Sequence, residues 1–171
     1  MNLAYKIFLA INATSWVIVI YGIKEEWVIH DLPYWVFSII LLIIPIVLSA
    51  ASIPLTLLLG RDTLMACDEL EDADNSFLPT YLGYFFVGLG IDKPLHLTFV
   101  YSIILLFTYM AQTQYFNPIF LLFGYRFYSV KTSGGSRIFL IAKKHLRRAA
   151  EVKFSNLRRI NDTTYLAWKE K

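Results

Sequence analysis

The run Leu32–Leu59, LPYWVFSIILLIIPIVLSAASIPLTLLL, carries no charge over 28 residues, and its reading decides the fold class. As a helix rising about 1.5 Å per residue it reaches about 42 Å, against a hydrocarbon core of about 30 Å. It must therefore tilt, bend or protrude. Pro45 and Pro54 supply bends, since each lacks an amide donor and clashes with the preceding turn. Ser49, Ser52, Thr56 or neighbouring helices answer the carbonyls this frees. Pro33, with Trp27, Tyr34 and Trp35 around it, marks the non-cytoplasmic entry, the rings lying at headgroup depth.

On the amino side, Leu3–Ile23 reads as a first span, interrupted by Lys6 and by the Asn12, Thr14 and Ser15 cluster. A cleaved signal fits less well, because Asn12 breaks Ile7–Ile11 and no small-x-small site precedes Trp16–Ile20. Asn12 inside a span calls for a helix–helix hydrogen bond, which would turn the face bearing Asn12, Ser15 and Gly22 toward protein. A bond to its own helix would satisfy it equally, and both readings stand. On the carboxyl side, Phe77–Ile91 is short at about 22 Å, whereas Leu95–Tyr115 is long enough to cross. Only Asp92-Lys93-Pro94 separates them, a polar turn that restarts a helix on proline. We read two antiparallel spans, with a re-entrant hairpin as the alternative; Gly83, Gly88 and Gly90 allow close helix contact, and Tyr81 and Tyr84 absorb mismatch at the interface.

The composition agrees: 57% hydrophobic and 17% charged residues, with a mean hydropathy of +0.52, exceed what the surface of an ordinary soluble domain of this length tolerates. The charges segregate. Arg126–Lys171 holds 12 Lys or Arg against 3 Asp or Glu, a net of +9, which leaves −6 for the rest of a chain whose total is +3. Positive residues collect on the cytoplasmic side. Four spans then place both ends inside, together with the Arg61–Ser76 loop of net −5.

After Tyr115, Asn117-Pro118 stops the helix and Ile119–Gly124 skirts the inner interface. The period then changes. Tyr125–Val130 and Arg137–Ile141 read as strands joined by Lys131–Ser136, with Gly134 and Gly135 at positive φ. Val152–Ile160 and Thr163–Trp168 make a second pair across Asn161-Asp162, and Lys143–Ala150 is a short helix or basic connection. The expected fold is thus an α-helical integral membrane protein of four transmembrane helices (1–124, including an acidic loop at 61–76) with a small, basic, mainly-β cytosolic domain (125–171).

Five carboxylates fall within seven positions of the loop: Asp68, Glu69, Glu71, Asp72 and Asp74. They form a solvated linker, a surface that docks on the basic domain of the same or a neighbouring subunit or on a partner, or an oxygen-rich metal site. The last lacks the glycine and terminal glutamate of a twelve-residue calcium loop. Lys143, Lys144, Arg147 and Arg148, reinforced by Arg158 and Arg159, suit an anionic leaflet at about 1 kcal/mol each, a partner protein or nucleic acid. No recognition helix, zinc finger or aromatic RNA-binding signature accompanies them, so direct nucleic-acid binding is not assured. Tyr125, Phe127, Phe139, Phe154 and Trp168 are available as aromatic anchors for a partner. His30, His96 and His145 lie far apart in topology, and no phosphate-binding glycine motif occurs, so no catalytic or metal constellation assembles and no cofactor is implied. Cys67 is the one cysteine, which excludes an internal disulfide.

The four spans and acidic loop, the join Asn117-Pro118-x4-Phe123-Gly-Tyr125-Arg-Phe-Tyr128 and the late Leu157-Arg-Arg-Ile-Asn161 resemble the membrane component of Kiwa, a two-gene bacterial anti-phage defence system. The resemblance covers most of the chain. It implies a homo-oligomer, tetrameric in that family, in the inner membrane, which senses perturbation at phage attachment or injection and works with a cytosolic DNA-binding partner. The residues by themselves are compatible with a non-enzymatic sensor or scaffold. An oligomeric pore or transporter lined by Asn12, Thr14 and Ser15 is the alternative, and a lipid-modifying enzyme a distant third.

Overall fold

A computed structural model describes residues 3–29, 32–75, 78–111 and 117–168. The expected positions Ser76, Phe77, Tyr115 and His30 lie outside these. The chain forms two compact units: Met1–Lys6, Ser52–Ser76 and Pro118–Lys171 make one, Ile7–Ala51 and Phe77–Asn117 the other.

The helical unit is built from α1 (Leu3–Lys24), α2 (Tyr34–Leu55), α3 (Leu78–Gly90) and α4 (Pro94–Ala111). Among the described residues three helices are long and apolar enough to cross a membrane: α1, α2 with its 3-10 extension to Leu58, and α4. At 13 residues, α3 is not. The backbone continues helically through Pro45, and only past Pro54 does it tighten to a 3-10 turn, Thr56–Leu58. Pro94 opens α4, as its missing amide donor favours.

α1 is the central helix, more buried than α2 and far more than α4. Val17 and Tyr21 pack with Tyr84, Ile91 and Leu97, and Val19 packs with Phe37 and Leu41. Gly88 permits the close approach of α3, since a Cβ there would lie 3.0 Å from Ile20 Cβ and 3.1 Å from the Val17 carbonyl. Gly83 and Gly90 face open space, so one of the three expected glycines serves helix contact. Lys24 Nζ donates to the Ile91 carbonyl (2.6 Å) and to Asp92 Oδ1 (2.9 Å), tying the α3–α4 turn to the end of α1. Thr14 Oγ1, ten residues back on α1, donates to Tyr101 Oη (3.3 Å) on α4. These contacts make α3 parallel and α4 antiparallel to α1.

The second unit is a six-stranded sheet: β1 (Arg61–Leu64), β2 (Cys67–Asp72), β3 (Arg126–Thr132), β4 (Arg137–Ala142), β5 (Phe154–Arg159) and β6 (Thr164–Ala167), in the order β1-β5-β6-β4-β3-β2. The two expected hairpins are present, β3–β4 and β5–β6, both antiparallel, while β4 and β6 pair in parallel. In the first turn Gly135 alone takes a positive φ (82°); Gly134 does not. Of the two readings of Lys143–Ala150, the basic connection holds and the short helix does not: the one helical turn there is the 3-10 turn Ala149–Glu151.

The acidic segment departs most from expectation, supplying both edge strands where a loop was anticipated. Only Met65-Ala66 links them, so Leu64 and Cys67 are three Cα steps apart, at most about 11 Å. Opposite edges of a flat six-stranded sheet would stand about 24 Å apart. The sheet is therefore curled until its edges approach, as in a barrel. All six strands feed one interior, which holds Leu64, Tyr128, Val130, Ile138, Leu140, Phe154 and Leu157, with Leu70 and Tyr165 at its margin. This shared interior explains how so short a segment of chain finds a core.

Candidate functional site

The acidic residues are largely committed to the sheet. β2 lies against β3 with Glu69 opposite Lys131, and Lys131 Nζ donates to Glu69 Oε1 at 2.6 Å. Arg137, facing Lys131 from β4, reaches Glu69 and Glu71, each at 3.6 Å. The Lys131 bond holds the Glu69 carboxyl below its ordinary range. Asp74 continues the ladder with its side chain: the Phe127 amide donates to Oδ1 (2.8 Å) and Arg126 Nη1 to Oδ2 (2.7 Å), raising the guanidinium's affinity for its proton. Asp72 Oδ1 accepts from the Asp74 amide in a local turn. Asp68 is exposed and makes no ion pair among the described residues. No group of three His, Cys, Asp or Glu side chains there is placed to hold a metal ion.

The basic residues have the opposite disposition. Lys143, Lys144, Arg147 and Arg148 are exposed around Leu146, which is buried in the sheet's core. The Tyr128 hydroxyl fixes this segment, accepting from the Leu146 amide (3.0 Å) and donating to the Lys144 carbonyl (3.2 Å); burial pushes its phenol pKa up. Lys143 Nζ lies 4.8 Å from the centre of the Tyr125 ring. Lys144, Arg147 and Arg148 form no ion pair among the described residues, so the patch meets solvent with its charge uncompensated. Arg159 is paired with Asp162 at 2.9 Å. Arg158, expected in the exposed patch, is instead 5% exposed.

Three of the five expected anchors are internal: Tyr125, Phe127 and Phe154 are buried, and Phe127 stacks on Phe120 of α5 (Ile119–Leu122), ring centres 6.3 Å apart. Both faces of the sheet are covered there, which leaves no room for a partner. Phe139 and Trp168 are half-buried.

Within the helical unit Asn12 Nδ2 donates to Ser49 Oγ (2.9 Å), so the interhelical reading of Asn12 holds. Asn117 Nδ2 donates to the same oxygen (2.6 Å), and Ser49 Oγ donates to the Pro45 carbonyl (2.7 Å). Sequence reasoning missed Ser49 as the hub of this network. Ser15 Oγ donates to the carbonyl of Asn12 on its own helix. Asn12 and Thr14 are enclosed within one chain, which removes them from the lining of a pore between chains.

Apolar helices long enough to cross a membrane and a curled sheet with an unpaired basic segment after β4 are the features to set beside the family comparison, which defines the class as an anti-phage protein. The model of the family described as "Anti-phage protein KwaA" matches residues 5–166, nearly the whole chain, and the chain belongs to that family. No curated protein and no solved structure matches it.

Proposed function

We propose that the chain is a non-enzymatic membrane sensor or scaffold of a bacterial anti-phage complex, and that the basic Lys143–Arg148 connection after β4 docks a cytosolic DNA-binding partner. The observation that carries this reading is the uncompensated charge of Lys144, Arg147 and Arg148 beside acidic residues already paired within the sheet. The protein sits in the inner membrane as a homo-oligomer, a tetramer on the Kiwa resemblance, with anionic lipids around its cytoplasmic face.

Four crossings with both ends cytoplasmic fit this role. Because β2 and β3 share one sheet, the chain between them crosses the bilayer an even number of times; α4 cannot cross unless α3 does too. The Tyr5 hydroxyl, which donates to the Ser52 carbonyl at 3.0 Å, makes the same argument for α1 and α2. The bond from Lys24 to Asp92 favours the full crossing over a re-entrant hairpin, since it holds the α3–α4 turn level with the far end of a helix about 33 Å long. Helix α3, about 20 Å long, then requires local thinning of the bilayer.

Reversing Lys143, Lys144, Arg147 and Arg148 to Glu should leave insertion intact while abolishing recovery of the DNA-binding partner and protection against phage. Normal recovery and protection in the inserted variant would refute the docking role.

A further inference from the structure

A row of side chains crosses the outer face of the sheet, opposite the shared interior: Arg61, Arg158, Leu166, Ile141 and Phe127 stand in register on β1, β5, β6, β4 and β3. Leu166, Ile141 and Phe127 are fully buried, and Arg158 beside them is 5% exposed. A guanidinium in such surroundings needs a counter-charge and partners for its five N–H groups. It has few. Nη1 donates to the Leu57 and Leu59 carbonyls at the long distances of 3.4 and 3.3 Å, and Nε is buried without a partner. Capping the end of α2 accounts for Nη1 alone.

Its cross-strand neighbour compounds the deficit. Arg61 lies directly opposite Arg158, and its side chain makes no hydrogen bond or ion pair among the described residues. Like charges in that position repel unless an anion lies between them. Asp62 is not that anion, because it stands opposite Leu157 on the interior face. Leu57 and Leu58, whose carbonyl-bearing turn Arg158 caps, are 44% and 76% exposed, and Arg61 follows three residues after the apolar helix ends. Two cations paired on one face of the sheet, beside exposed leucines at the end of an apolar helix, match a group that carries both a negative oxygen and acyl chains.

We propose that Arg61 and Arg158 together bind the phosphate group of a membrane phospholipid at the cytoplasmic end of α2. The inference rests on the proposed crossing of α2. The lipid phosphate takes the place of the missing counter-ion, its oxygens accepting from both guanidinium groups, while the acyl chains lie along Leu57 and Leu58. The lipid would also couple the sheet to the leaflet at a defined point.

The test uses the full chain in detergent, with dioleoyl phosphatidylglycerol as probe and dioleoylglycerol and inorganic phosphate as controls, read as the thermal unfolding midpoint. The phosphatidylglycerol should raise the midpoint, and neither control should do so at the same concentrations. Arg61→Gln, an exposed change that spares the buried residue, should raise the midpoint in lipid-free detergent by removing the repulsion. It should also increase the half-saturating lipid concentration about tenfold, the equivalent of one charge-assisted hydrogen bond. Arg158→Met should abolish the lipid response, and Lys144→Gln should leave it as in the unaltered protein. An unchanged response in Arg61→Gln, or an equal loss in Lys144→Gln, would overturn the site. A full shift from inorganic phosphate would overturn its assignment to lipid. Extraction of the chain from membranes by alkaline carbonate would overturn the crossing itself, whereas a retained chain with an unaltered lipid response would overturn only the arginine pair.

Discussion

Replacing Asp74 by Ala should unlock the acidic edge strand from the sheet. Asp74 lies just beyond β2, where the Ala73 amide donates to the Phe127 carbonyl (2.9 Å) and the Phe127 amide donates to Asp74 Oδ1 (2.8 Å). The carboxylate thus replaces the next main-chain acceptor of the ladder, and its side chain is only 12% exposed. A hydrogen bond from an amide to a charged acceptor contributes about 1.5–3 kcal/mol. Arg126 is half exposed and its ion pair is left out of that figure. Local opening of β2 from β3 should therefore become easier by the same amount, and amide exchange at Phe127 should accelerate roughly ten- to hundredfold. Hydrogen-exchange mass spectrometry of the full chain in detergent, followed on peptides covering 67–74 and 126–132, measures this. Asp74→Asn keeps an acceptor oxygen and should retain most of the protection, and Asp68→Asn, at an exposed and unpaired site, should change nothing. Unaltered protection in Asp74→Ala would refute the placement of the acidic strand on β3.

Further predictions follow the same logic. Ser49→Ala removes the acceptor shared by Asn12 and Asn117 and should destabilise the helical unit by about 1–2 kcal/mol, measured by unfolding in mixed micelles; no change would remove Ser49 as a hub. Glu26, in the turn just past α1, has a φ of 49°, the Trp27 amide donating to the Gly22 carbonyl and the Glu26 amide to that of Ile23, so Glu26→Gly should stabilise by about 1 kcal/mol in the same assay. Gly88→Leu drives a side chain into Val17 and Ile20 and should lower the yield of folded protein far more than Gly83→Leu, judged by size-exclusion profiles. Glu69 has a depressed folded pKa through Lys131, so its stabilisation is present above the ordinary carboxylate pKa and is lost as pH falls through the lower folded value. Glu69→Gln should flatten stability in that acidic window and leave the slope near neutrality unaltered.

Much of this architecture was legible from residue order. Apolar runs identify α1, α2 and α4, Pro94 marks the start of α4, and alternating apolar residues with Gly135 announce the β3–β4 hairpin. The edge strands were not legible. Within Asp68-Glu-Leu-Glu-Asp72 only Leu70 is apolar, so no period-two signal exists; the segment is held as a strand by Lys131 and Arg137, some sixty residues away in the chain. Tyr125, Phe127 and Phe154 read as surface anchors because an aromatic residue in a strand does not reveal whether its face is covered, and here both faces are. Arg158 adjoins Arg159 in sequence, and the pair reads as solvated charge. Only the register, which sets one beside Leu166 and the other beside Tyr165, separates the buried arginine from the exposed one. Ser49 was legible as a partner for carbonyls of its own helix but not as a hub, since Asn12 and Asn117 lie on other segments.

The central claim, a four-crossing membrane body with the whole curled sheet on the cytoplasmic side, is tested most directly by locating the α3–α4 turn. Paired alkaline phosphatase and fluorescent-protein fusions after Lys93, compared with fusions after Asp68 and Lys171, make the measurement. The account predicts that Lys93 reports the outside of the inner membrane while Asp68 and Lys171 both report the cytoplasm. A cytoplasmic signal after Lys93, or opposite signals from Asp68 and Lys171, would contradict it.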